Sequence, residues 1–326
     1  HAVSQGSGEV VRVDMETGER EVLAVFPRGW LDNLAFDAND RLFVSSAPEG
    51  TVVEVLDNGD VREVSPGGMI SPMGITLVGD TVYIAESASF RGFDTSSGEP
   101  MHTLLSVHGV GPLLQTSSVS SVGEHLILMS INTNQFLIWD TVTDSPVLET
   151  SFILPLDAEP FGDDLLVVEL GAGRVVRAVM PDLETREPVA SGFIFPAGLA
   201  VHEDDAYVSD AFQGTVFQMI RAGVVLDTPE PVATGLQVPE GITLTHGGTR
   251  LLVVEGGTSS LTEVDLETGE KRTIATDLGF QPQTVEQFIT HWFNDVEVDD
   301  EGAIYVNSDG DNIIYKLRDL GPDVAQ

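Results

Sequence analysis

Cysteine is absent from this chain, which removes disulfides, thiolate metal ligands and cysteine nucleophiles together. Lysine is nearly absent: Lys271 and Lys316 are the only two among 15 basic residues, set against 52 acidic ones, for a formal net charge of −37. Such a surface repels phosphate backbones and anionic bilayers, so neither nucleic acid nor membrane is an expected partner. No apolar run approaches the ~20 residues of a membrane helix, and no stretch has the pattern of a secretory leader. Also missing are a G-x-S-x-G elbow, an H-E-x-x-H pair and a phosphate-binding glycine loop. Amphipathic helical periodicity is confined to "QTVEQFITHWF", residues 283–293. Because the chain begins at His1 instead of methionine, a mature or trimmed form is expected, secreted or periplasmic. The excess of acid suits saline surroundings, where counterions screen self-repulsion.

What is present is a hydrophobic fraction of 42%, ample for a packed core, arranged in a repeat. Seven short strands begin near Pro-Gly-like turns at intervals of about forty residues. They are "LDNLAFD" (31–37), "PMGITLV" (72–78), "SSVSSVG" (117–123), "LDAEPFG" (156–162), "PAGLAVH" (196–202), "PEGITLT" (239–245) and "FNDVEVD" (293–299). Each is followed by a second, nearly all-apolar strand: "LFVSS", "VYIAE", "LILMS", "LLVVE", "AYVSD", "LLVVE" and "IYVNS". Third strands such as "GRVVRAVM" and fourth strands such as "REPVASG" alternate with period two, as outer strands do.

Four antiparallel strands at this period predict an all-β fold, a single β-propeller over residues 1–326. Seven blades are expected, with six as the alternative. "RVDMETGERE" (12–21) recurs as "EVDLETGEKR" (263–272), which predicts that the N-terminal hairpin completes the C-terminal blade and closes the ring. Both "GEVVRVDM" and "NIIYKLRD" read as third strands, one more than that blade needs.

Turns that enter first strands and those that leave second strands open on the same face in such a repeat. The entering residues are Asp32, Met73, Ser117, Leu156, Ala197, Glu240 and Asn294; the leaving ones are Ser46, Glu86, Ser130, Glu169, Asp210, Glu255 and Ser308. Six carboxylates and an asparagine, with no basic residue, predict a bound cation or shared protons at one mouth. Oxygen ligands without cysteine favour Ca²⁺ or Mg²⁺. Trp30, Trp292, Phe293, His108, Glu86, Glu169 and Glu255 face the same mouth and are candidate substrate contacts. His291, in "THWFND", is a candidate general base. "SDGDN" (308–312) has part of a calcium-loop pattern without its spacing.

The segments 238–271 and 293–317 resemble the repeat of the senescence-marker/gluconolactonase group, strictosidine-synthase-like proteins and NHL-repeat propellers. In the gluconolactonase group a divalent cation at the channel mouth sits on Glu, Asn and Asp ligands and activates a lactone or ester. Carried over, that resemblance implies metal ligands at Asp32, Asp210, Glu240 and Asn294. Glu240 stands where the family has asparagine, and Asp32 is the nearest counterpart of an early glutamate. Proton transfer would fall to Asp210, Glu240 or His291. The streptogramin B lyase family, a seven-bladed relative by repeat style, implies metal-assisted C–O lysis as the alternative. A non-catalytic propeller that binds a sugar or protein is a third expectation. A monomer acting on a small molecule is the expected state.

Overall fold

The structure is a computed structural model. It describes residues 1–318 except 5, 6, 27–30, 38, 47–49, 57, 66, 67, 70, 87, 88, 106–114 and 282–292, and backbone alone at Asp32, Ser65, Leu105 and Arg318. Among the described residues there are eight antiparallel sheets, six four-stranded and two three-stranded. Their only helix is the short 3₁₀ turn Leu170–Ala172. All seven expected pairs of first and second strands form, and the arrangement is that of a β-propeller. The chain divides into two compact units, residues 1–70 and 71–326.

The smaller unit holds two sheets. One joins Ala2–Val3, Glu9–Val13 and Arg20–Val25; the other joins Leu31–Phe36, Leu42–Ser46, Thr51–Val55 and Val61–Ser65. Val10, Leu31, Leu42, Val44 and Val55 form its buried apolar cluster.

The larger unit holds six sheets, numbered here by their first strands: Ile75–Val78, Ser118–Val122, Pro155–Phe161, Pro196–His202, Pro239–Leu244 and Val296–Val298. Each is a meander whose strands pair in chain order, so the first strand is innermost. The second strands are continuous apolar runs because both of their faces are covered. Leu251, Leu252, Val253 and Val254 are all fully buried in the fifth sheet, each such side chain contributing ~1.5–3 kcal/mol.

The first strands pack in cyclic order, the sixth upon the first. Side chains staple the cycle. Ile75 N–H donates to Asp295 Oδ2 at 3.3 Å, and Asn307 Nδ2 donates to the Pro72 carbonyl at 2.8 Å. Leu199 N–H donates to Asp157 Oδ2 at 2.6 Å, and Ser209 Oγ donates to the Glu240 carbonyl at 2.6 Å. Inner strands approach so closely that a Cβ on Gly241 would lie 2.0 Å from Asp295 Oδ1, which is why glycine stands there.

Closure differs from the expectation. The N-terminal hairpin does not join the C-terminal sheet: its strands pair with one another, and the cycle closes within residues 71–326. The reason is occupancy. Ile313–Arg318 pairs with Ala303–Ser308 over six residues and takes the third-strand place there. The shared "D-x-E-T-G" text reports turn chemistry instead. Asp14 Oδ1 accepts from the Glu16 and Thr17 amides, and Asp265 Oδ1 from those of Glu267 and Thr268. Asp94 and Asp140 build the same turn in the first and second sheets.

Candidate functional site

The fifth and sixth sheets bring three buried polar residues together. Glu240 is the second residue of its first strand, Asn294 lies just before Val296–Val298, and Asp309 follows the second strand Ala303–Ser308. These are one entering, one entering and one leaving position, so antiparallel geometry puts them at one mouth. Asn294 ties the other two. Its backbone N–H and Nδ2 donate to Glu240 Oε2 at 2.8 and 3.1 Å, while its Oδ1 accepts from the Asp309 N–H at 3.0 Å. Gly241 N–H returns a bond to the Asn294 carbonyl at 3.1 Å. Asp309 Oδ1 accepts from the Gln281 N–H at 3.0 Å.

The remaining oxygens, Glu240 Oε1 and Asp309 Oδ2, are buried and have no hydrogen-bond partner. An unpartnered buried carboxylate oxygen is costly, on the order of 1–3 kcal/mol or more. Burial pushes the Glu240 carboxyl up to about 8, opposed by the Asn294 amides and reinforced by the nearby Asp309 charge. Burial likewise raises Asp309. Two hard oxygens and an amide fit a divalent cation that completes its shell with water. Among the described residues no three Asp, Glu or His side chains converge at metal-binding range, so the donor set is a pair of acids with asparagine.

The other acids at this mouth have different tasks. Asp210 accepts five hydrogen bonds: from the Ile194, Phe195, Phe212 and Gln213 amides and from Gln213 Nε2, at 2.7–3.2 Å. It caps its loop with both oxygens engaged, the contacts the structure gives this expected metal ligand and proton carrier. Glu169 accepts from the Ile153 N–H and from Arg174 Nε, and Glu255 from the Gln237 N–H and Thr262 Oγ1. Glu86 is held by Arg91 through two bonds, 2.6 and 2.8 Å long. These three, expected to contact substrate, fasten the loops beside their own strands.

Asp210→Ala strips four backbone amides of their acceptor. Urea unfolding is expected to show a loss of ~3 kcal/mol or more, with cation uptake at Glu240 unchanged.

Phe293 is buried in the apolar cluster that holds Leu156, Phe195, Ala197 and Ala211, at φ +87°, an uncommon conformation for an aromatic residue. Expected as a substrate contact, it is packed in that cluster directly before Asn294. Trp30, His108, His291 and Trp292 lie outside the described residues, as does the side chain of Asp32.

Asp309 is the residue that the repeat did not single out. Strand register gives Ser308 the place that Asp210 has in the fourth sheet, and Asp309 stands one residue later, inside "SDGDN".

No family model and no curated protein matches the chain. Among solved structures, selenomethionine-substituted virginiamycin B lyase from Staphylococcus aureus is similar at TM-score 0.54 and 13% identity, over 88% of this chain and 94% of that one. A streptogramin B lyase structure gives 0.52 and 16%, over 77% and 84%. The WD40 β-propeller domain of Doa1 gives 0.52 and 16%, over 97% and 95%. The likeness is one of fold. Lyases and WD40 domains share it equally, so the propeller is established and the chemistry rests on the residues. Among the described residues no helix is long and apolar enough to cross a membrane.

Proposed function

We propose that this protein is a divalent-cation-dependent hydrolase of a lactone or ester, acting at the Glu240–Asn294–Asp309 mouth. The observation that supports it is the pair of buried, unpartnered oxygens on Glu240 and Asp309 on either side of Asn294. Glu240, Asp309 and Asn294 would hold the cation, with calcium first and magnesium second by donor type. When bound, such an ion polarises a carbonyl and lowers the pKa of water. The chain does the rest. Asn294 fixes the Glu240 carboxylate through two donors, so that its free oxygen keeps one direction. Burial of all three residues keeps bulk water from competing for those oxygens. His291, three residues before Asn294 in sequence, is the proton carrier in this reading. Ile153, Leu154, Ile194 and Phe212 are exposed apolar side chains on loops of the same face, and they suit a substrate with an apolar arm.

A panel of γ- and δ-lactones and aryl esters, assayed with calcium and then with chelator, tests this reading. Turnover that needs calcium and puts ¹⁸O from labelled water into the product acid is the expected result. An unsaturated product without ¹⁸O would transfer the site to C–O lysis, the alternative reading. No turnover on any ester, with or without calcium, would leave a binding propeller.

A further inference from the structure

A second polar site lies toward the opposite end of the channel. Two of the six first strands carry Asp-x-Glu: Asp157-Ala158-Glu159 in the third sheet and Asp295-Val296-Glu297 in the sixth. At the same register the fourth and fifth sheets have Gly198-Leu199-Ala200 and Gly241-Ile242-Thr243. In a cycle of six, the third and sixth sheets stand opposite one another. The aspartates have a structural duty, since each accepts the amide of the next first strand. Among the described residues the glutamates tie no neighbouring first strand, although Glu297 accepts from the adjacent Val298 N–H. Instead Glu159 and Glu297 both line a cavity of about 290 Å³, walled between them by the fourth and fifth sheets.

The chemistry of that cavity is one-sided. No lysine or arginine lines it, and neither glutamate belongs to an ion pair among the described residues. Val201 and Leu244 give it apolar wall, and His202 and His246 stand at its outer end, where the two first strands finish. His246 Nε2 meets the Asp299 carbonyl at 2.7 Å. A carbonyl only accepts, so Nε2 carries a proton. The cavity therefore presents carboxylates and aliphatic surface, without a lysine or arginine.

Its volume is about ten times a water's ~30 Å³ share of the liquid, so it has room for a cation with a carbon skeleton. Val201 and Leu244 offer contact to methylenes, which a bare metal ion does not have.

We infer that this cavity binds a small primary alkylammonium ion, its N–H donors on Glu159 and Glu297 and its methylenes against Val201 and Leu244. Electrostatics agree: Glu159 is raised well above the usual carboxylate range by burial, and by the charges of Asp157, Glu297 and Asp295. A cation between the glutamates relieves that repulsion. This site is separate from the Glu240 mouth, since its lining comes from the far ends of the same strands.

Calorimetric titration of the whole chain with n-butylammonium chloride in 0.15 M NaCl tests it. One saturable site per chain is expected, weakened about tenfold or more in the Glu159→Gln/Glu297→Gln double variant, as for loss of charge-assisted hydrogen bonds. Glu267→Gln, on the exposed surface, is expected to bind as the parent does, and tetramethylammonium, which has the charge but no N–H, about tenfold more weakly. Glutamine keeps the glutamate's shape, and a melting temperature at or above the parent's shows that the double variant folds. No saturable binding, unchanged binding in the double variant, or equal binding of tetramethylammonium overturns the inference. Calcium uptake at Glu240 is read separately in the same variants, so the two sites stand or fall apart.

Discussion

In Glu240→Gln, calcium binding is expected to weaken by about a hundredfold, and lactone turnover to fall with it, while the fold persists. Glutamine fills the same volume, and its carbonyl can still accept from the Asn294 N–H and Nδ2, which now reach Glu240 Oε2 at 2.8 and 3.1 Å. What disappears is the free Oε1 and the negative charge it would offer a cation. Above pH 8, where burial no longer keeps the Glu240 carboxyl protonated, removing its unpartnered charge also relieves a folding cost, so the melting temperature in chelator is expected to hold or rise. Asp309→Asn should behave alike, because the Gln281 amide keeps its acceptor. Asp210→Ala gives the opposite pattern, with stability lost and cation uptake kept. If Glu240→Gln and Asp309→Asn bind calcium as tightly as the parent does, these residues hold no cation.

A second large effect is expected in how stability depends on pH. Burial pushes Asp157 up to about 6 and Glu297 up to about 7 from ordinary values of 3.8 and 4.5. Both folded values lie above the unfolded ones, so the folded chain holds protons that the unfolded chain releases. That stability is complete below about pH 4 and is lost as pH rises through 6 to 7. For Glu297 alone the shift corresponds to ~3 kcal/mol, a sizeable share of the 5–15 kcal/mol typical of a domain. The two groups interact, so their contributions do not simply add. Urea midpoints measured in chelator are expected to fall from pH 5 to pH 8, and Glu297→Gln to flatten that slope. General surface repulsion at −37 acts in the same direction, so the difference between parent and variant is diagnostic. A slope unchanged in Glu297→Gln would show that this carboxyl is as hydrated in the folded chain as in the unfolded one.

Much of the fold could be read from the sequence because two kinds of strand have two kinds of text. Second strands such as "LLVVE" are buried on both faces and lose their alternation, while outer strands keep it. The shared mouth followed from strand direction alone, and Glu240 and Asn294 do meet there. The function of each acid could not be read so simply. Glu169, Asp210 and Glu255 look like a charge cluster in sequence, yet each caps a loop amide some sixteen to eighteen residues back along the chain. Those hydrogen bonds exist only once the loop is folded. Asp309 was hidden because it falls one residue past the strand register. The paired Asp-x-Glu motifs were visible as letters, but their opposition depends on the number of sheets in the cycle. The twin hairpins misled for a local reason, since the same Asx turn recurs at Asp14, Asp94, Asp140 and Asp265 in four different sheets.

The presence of a cation among Glu240, Asn294 and Asp309 is tested most directly by diffraction from crystals grown with MnCl₂, with manganese standing in for the hard divalent ion. An anomalous peak bonded to Glu240 Oε1 and Asp309 Oδ2 in the parent, absent from Glu240→Gln, is the expected result. A map without a peak there, or with water alone between those oxygens at saturating manganese, would contradict it.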